Sequence, residues 1–227
     1  MRIGQKRRQM RRPDPRVAAG VLALGGFMVV AGLVARRRTD ALDLATTRFV
    51  QRVLPEQLDG VMAVASWPGF PPQSRVLPPA ITCAWWISGR RRAAAFQGMA
   101  WGGAFLSTVT KFFVRRPRPS PAEVRVVTAR LDGTSFPSGH VLAYTAFYGF
   151  LVRLIGFHVR PVRLRRLLQA ALLTLLGLVG LSRIQRGHHW ASDVLASYLL
   201  GVAYVAWLAC LSDRFGESHR EAKHVGV

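Results

Sequence analysis

Long apolar runs separated by clusters of arginine set the first limit on what this chain can fold into. The clearest run covers residues 17–35, which hold no charge and end in Arg36-Arg37-Arg38. A helix needs about 20 apolar residues to cross the hydrocarbon core of a bilayer. Further runs cover residues 76–88, 93–110, 141–157, 167–181 and 191–211; the first of these is short and holds Pro78-Pro79, and the 141–157 run holds Arg153. The pattern predicts an all-α, polytopic membrane bundle of about six transmembrane helices. Residues 1–16 form a basic tail on the cytoplasmic side, 17–211 the membrane-embedded domain, and 212–227 a polar C-terminal tail. The 17–35 run reads as an uncleaved anchor rather than a signal peptide, because it is long for the latter and lacks a small-x-small cleavage site.

Composition narrows the class further. The chain is 50% hydrophobic yet carries a formal net charge of +21. Such a charge on a soluble chain would suggest nucleic-acid binding. Here the cations lie between apolar runs, so no nucleic-acid partner is expected. Cys83 and Cys210 each lie inside an apolar run, which implies neither a disulfide framework nor a metal-binding spacing. With alternating crossings, the tails and the loops at 89–92 and 158–166 share one side and hold 17 Lys/Arg, against 14 on the other. The positive-inside rule therefore places the N-terminus in the cytoplasm by a small margin. Residues 36–75 look mixed and rich in turn formers, and the apolar stretch at 58–70 is too short to span and fits an interfacial position.

Three segments on the side opposite the tails carry the chemistry. They are Lys111 to Pro119, Phe136-Pro137-Ser138-Gly139-His140, and Ser182 to Asp193. Each alone has an ordinary explanation: an interfacial pair of cations, a helix cap at Ser138, a surface pair of His189 and Asp193. Together they compose a phosphate site. Lys111, Arg118 and Arg183 supply fixed positive charge, as a point charge and two planar forks. Ser138 and Gly139 open a helix, whose free N–H groups favour an anion, and Gly139 lets the backbone come close to it. His189 lies four residues before Asp193, so the carboxylate is placed to take the proton of one ring nitrogen and leave the other to attack phosphorus. His188 is five residues away and turns off that face. His140 is placed to protonate a leaving oxygen and later activate water.

These segments resemble the signature of the type-2 phosphatidic acid phosphatase family: K-x6-R-P, then P-S-G-H, then S-R-x5-H-x3-D. Lys111, Arg118, Pro119, Pro137, Ser138, Gly139, His140, Ser182, Arg183, His189 and Asp193 meet every fixed position. The resemblance implies a membrane phosphatase that acts on a lipid phosphomonoester or prenyl diphosphate through a phosphohistidine, with no metal and no cofactor. Phosphatidic acid, phosphatidylglycerol phosphate and undecaprenyl diphosphate are the substrate classes it brings to mind. It implies phosphate binding by Lys111, Arg118, Ser138, Gly139, His140 and Arg183, with His189 as nucleophile, Asp193 as its partner and His140 as general acid. It further implies a site facing away from the cytoplasm, and the expected location is a bacterial plasma membrane; the excess of arginine over lysine hints at a GC-rich genome. The alternative is a lipid-phosphate binder or transporter that keeps the cradle without turnover. Arg115, Arg116, Arg125, Arg130 and Arg186 are read as a solvated basic loop, with a second phosphate or anionic headgroup as the rival reading. Trp85, Trp86, Trp101 and Trp190 are read as interface or packing residues.

Overall fold

A computed structural model describes residues 14–127 and 133–225, with side chains to residue 215. Most of the basic tail (1–13) and Arg130 fall outside the described residues. Among the described residues nine α-helices follow one another: α1 (Pro15–Ala35), α2 (Asp40–Val53), α3 (Asp59–Ser66), α4 (Gln73–Ile87), α5 (Arg91–Trp101), α6 (Gly103–Phe113), α7 (Gly139–His158), α8 (Val162–Gln185) and α9 (Ala191–Val225). Among the described residues four segments are long and apolar enough to cross a membrane on their own: α1, α7, α8 and Ala191–Phe215 of α9. At 1.5 Å per residue, α4 is about 22 Å long, and α5 with α6 about 34 Å. The fold is all-α, and its membrane plan of about six crossings includes one short helix and one broken helix.

Local sequence explains where the helices start and break. Asp14 accepts a hydrogen bond from the Arg16 amide at 2.9 Å and Pro15 opens α1, a favourable start on both counts. The apolar run at 93–110 divides at Gly102, between α5 and α6. Beside the break, Gly103 packs where a Cβ would collide with Ala146 of α7. Gly201 of α9 sits as closely on Thr145 of α7. Small residues at such crossings let helices approach in a membrane, where lipid offers no hydrophobic drive between them.

The segment 36–75 differs from its sequence reading. It holds two helices, α2 and α3, and two 3-10 turns, over Glu56–Leu58 and Trp67–Gly69. α2 is amphipathic and polar: Asp40 and Asp43 lie in its first turn, where acids complement the helix dipole. It carries no long apolar run, and that is why a reading built on apolar runs passes over it.

α7 forms the centre of the bundle. Val141, Tyr144, Phe147, Tyr148, Leu151 and Ile155 are buried there, against Val179 and Ile184 of α8 and Val194 of α9. α1 packs along α9 and leaves Val21, Leu22, Met28 and Val29 exposed, as a lipid-facing surface requires. One end of the bundle is tied by Asp213, which accepts from Arg16 and, at 2.5 Å, from Arg153. Arg153, a charge inside an apolar run, is thereby paired. The three motif segments occupy the other end.

Candidate active site

The loop segment 114–127 is held over the bundle end by α2 and α3. Gln51 of α2 donates to the Arg125 carbonyl at 2.7 Å and accepts from the Arg125 amide at 3.1 Å. The Arg125 guanidinium forks onto Asp59 of α3 at 2.8 and 3.1 Å. That guanidinium holds the Asp59 carboxyl below the usual range. Arg186 also turns to Asp59, reaching its carbonyl at 3.4 Å. Arg125 and Arg186 are thus engaged in holding the loop, while Arg115 is exposed beside Phe112.

The fold brings together all the residues singled out in the three motifs. The Arg118 guanidinium donates to the His188 carbonyl at 2.8 Å and lies 3.2 Å from His189 Nε2. Lys111 Nζ donates to the Thr134 carbonyl at 2.6 Å. Arg183 is 1% exposed, with Nη2 3.3 Å from Ser182 Oγ and the guanidinium over the Phe70 ring. Phe70 also meets the His140 ring, at 4.6 Å between centroids, so this aromatic touches two members of the site. Sequence reasoning passed over it.

Ser138 precedes the first turn of α7 but makes no capping hydrogen bond. Its Oγ is buried without a partner, as are His140 Nε2, Arg183 Nε and Ser107 Oγ. Gly139 lies against Ser107, and a Cβ there would be 3.2 Å from its Oγ. These atoms leave hydrogen-bonding capacity at the site that a polar ligand could take up. Two cavities reach this region. One of about 320 Å³ lies between α4, α6 and α7 and reaches Gly139 and His140, with walls that include Trp101, Tyr144 and Tyr148. The other, of about 620 Å³, lies between the α1–α2 corner and the loop and touches Arg118 and Trp190.

His189 differs from expectation in one contact. Its Nδ1 lies 2.8 Å from the Ser135 carbonyl oxygen, while Asp193 Oδ2 is 3.7 Å away. His189 precedes the helix that begins at Ala191, so the geometry of a helical turn does not govern the pair. The carboxylate is instead drawn back to its own backbone, accepting from the Trp190 amide at 2.9 Å, and it also accepts from Ser135 Oγ. At 3.7 Å the Asp193 carboxylate is beyond hydrogen-bond length from Nδ1 but within ion-pair distance. A carbonyl can only accept, so Nδ1 carries the proton and Nε2 presents its lone pair toward Arg118; the tautomer follows from these partners. Burial pushes the imidazole down to about 4, opposed by Asp193 and reinforced by Arg118 and Lys111. The ring is therefore neutral near pH 7 and able to act as a nucleophile.

Arg116 departs furthest from its sequence reading. It is 8% exposed rather than solvated, and it joins Asp43 of α2 at 2.6 Å to Asp193 of α9 at 3.0 Å. Its position in the gap of K-x6-R-P gives no sign of this. Trp190 supports the same region: it is buried, lies under Arg116 and donates to the Pro117 carbonyl at 3.1 Å.

No curated protein matches the chain. Its fold is similar to that of a transmembrane PAP2-type phosphatidylglycerolphosphate phosphatase from Bacillus subtilis, with a TM-score of 0.76, 19% identity, and coverage of 86% of this chain and 96% of that one. It is also similar to LpxE from Aquifex aeolicus, with a TM-score of 0.58, 22% identity, and coverage of 74% and 94%. The family model of the PAP2 superfamily matches residues 93–217, more than half of the chain and a span that holds every motif residue. The chain belongs to the PAP2 superfamily, as a multi-pass, membrane-spanning member.

Proposed function

We propose that the protein hydrolyses the phosphate ester or diphosphate of a membrane lipid through a phosphohistidine at His189. One observation carries this reading: His189 Nε2 is 3.2 Å from Arg118 while Nδ1 is committed to the Ser135 carbonyl. A neutral nucleophile so placed faces an anion-binding site. In the first step Nε2 attacks phosphorus, the P–O bond to the lipid breaks, and His140 gives its proton to the departing oxygen. In the second, His140 takes a proton from water, the hydroxide attacks phosphorus, the P–N bond breaks, and inorganic phosphate leaves. Lys111, Arg118, Arg183, Ser138 and the α7 N-terminus stabilise the charge on the equatorial oxygens.

In-line displacement puts the leaving group opposite His189, on the side of His140. The cavity between α4, α6 and α7 reaches His140, and its walls combine apolar and aromatic side chains with Ser74, Ser107 and Thr108. It suits the hydrocarbon part of the substrate. The excess of Lys/Arg on the side of the tails supports a site facing away from the cytoplasm. A binder without turnover would have no need of a paired, neutral histidine, so the catalytic reading is preferred.

The test is phosphate release by purified, detergent-solubilised protein from phosphatidylglycerol phosphate, phosphatidic acid and undecaprenyl diphosphate. The Bacillus subtilis relative puts the first of these at the head of the panel. Release from at least one lipid, unchanged by a chelator, is expected. Release from none, or full loss with the chelator, contradicts the proposal.

Asp193→Asn is expected to slow turnover about 10- to 100-fold, the worth of a charged contact of ~1.5–3 kcal/mol. The residual rate is expected because the Ser135 carbonyl still fixes the tautomer. A steady-state assay that finds the wild-type rate removes Asp193 from the site.

A further inference from the structure

We propose that Arg116 and Asp43 are positioning residues that set the charge and place of Asp193 behind His189. The inference rests on His189 as nucleophile. Arg116 Nη1 donates to Ser192 Oγ at 2.7 Å and to Asp193 Oδ1 at 3.0 Å. Its Nη2 reaches Thr39 Oγ1 at 3.2 Å, Asp40 Oδ1 at 3.0 Å and Asp43 Oδ2 at 2.6 Å. Asp43 in turn accepts from the Ser192 amide at 2.8 Å and from Ser192 Oγ at 2.6 Å. α2 thereby grips the first turn of α9 twice, once directly and once through the guanidinium.

The balance of charge gives this grip a chemical role. Asp43 is 2% exposed and Asp193 0%, and Arg116 is the cation that contacts both. Burial works against the charge on Arg116, but Asp193 and Asp43 outweigh it and raise its pKa. Taking away the guanidinium leaves two carboxylates without their shared cation, and the field at His189 becomes more negative. Other charged or titratable groups facing His189 stay in place: Lys111 and Arg118 from α6 and the loop, and the His140 imidazole from the first turn of α7. Arg183 and Arg186, at the end of α8, face the neighbouring His188 and are likewise unchanged.

The sign follows for each variant. In Arg116→Met the more negative field favours protonation of His189, of Asp193, or of both. Either event disables the pair, so the acid limb of the kcat/KM profile moves to higher pH. In Asp43→Asn, Arg116 faces Asp193 with less opposing charge, and the limb moves to lower pH. Arg116→Lys keeps the charge without the fork, so the rate falls and the limb stays. Damage to packing alone would lower the rate in every variant and leave the limb where it is.

The experiment measures kcat/KM against pH for wild type and the three variants, on whichever lipid phosphate the panel identifies. Arg116→Met should lose about 10- to 100-fold in rate, as for a broken charged contact, and shift the limb up by about one pH unit. Asp43→Asn should shift it down. Limbs that stay together, or that shift in the same direction, overturn the proposal. If Arg116→Met does not fold, Asp43→Asn decides: a downward shift supports the proposal and an unmoved limb overturns it. His189→Ala run beside them separates this failure from that of the parent reading, because only turnover by that variant removes the nucleophile.

Discussion

His189→Ala is expected to reduce lipid phosphate release by about 10^4-fold or more, the scale seen when a nucleophile is removed from a covalent mechanism. The expectation comes from position. His140 lies in the first turn of α7 with its Nε2 buried close to Gly69, and on this account its place is on the leaving-group side. His188 is 1% exposed, and burial with the neighbouring Arg183 and Arg186 drives its imidazole far below the ordinary value. Neither is aligned to replace Nε2 of His189. Removing a small buried ring leaves Arg118 and its contact with the His188 carbonyl, so the variant should still fold. A malachite-green assay of protein that elutes as wild type in size-exclusion chromatography reads the effect. Near-normal turnover would remove the phosphohistidine from the account.

Arg183→Ala should be the next most damaging change, with a loss of about 10^2- to 10^3-fold in kcat/KM. Arg183 is 1% exposed and its Nε is unpaired, so its charge is held in a dry place with donor capacity to spare. Preorganised donors in such a place stabilise developing negative charge without reorganisation. Arg183→Lys separates charge from geometry. The lysine keeps a cation but not the planar fork, so it should recover part of the loss and not all of it. Substrate titration reads both variants. Equal rates for wild type and Arg183→Ala would take this arginine out of the cradle.

The motifs were legible in the sequence because they sit where apolar runs end. Lys111 closes α6, Gly139 opens α7, and Arg183 lies in the last turn of α8, so each marks the same end of the bundle. The crossings were legible by the same logic, because residues 17–35 and 141–157 must be helical if they meet lipid. What the sequence hid was the polar scaffold beside the membrane. α2 has no apolar run to announce it, and Asp43 becomes visible only when Arg116 bridges it to Asp193 across 73 and 77 residues of chain. The Ser135 carbonyl was equally hidden, because a backbone acceptor leaves no trace in residue type. Spacing suggested Asp193 as the direct acceptor from His189, and the start of α9 at Ala191 undoes that helical assumption.

The nitrogen–phosphorus bond at His189 is the centre of the account, and it can be caught directly. Protein mixed with a lipid substrate carrying 32P in its terminal phosphate, quenched in alkali and digested, should yield a labelled peptide containing His189, with the label lost in acid as phosphoramidates are. Label on another residue, or turnover with no label at any quench time, would contradict it.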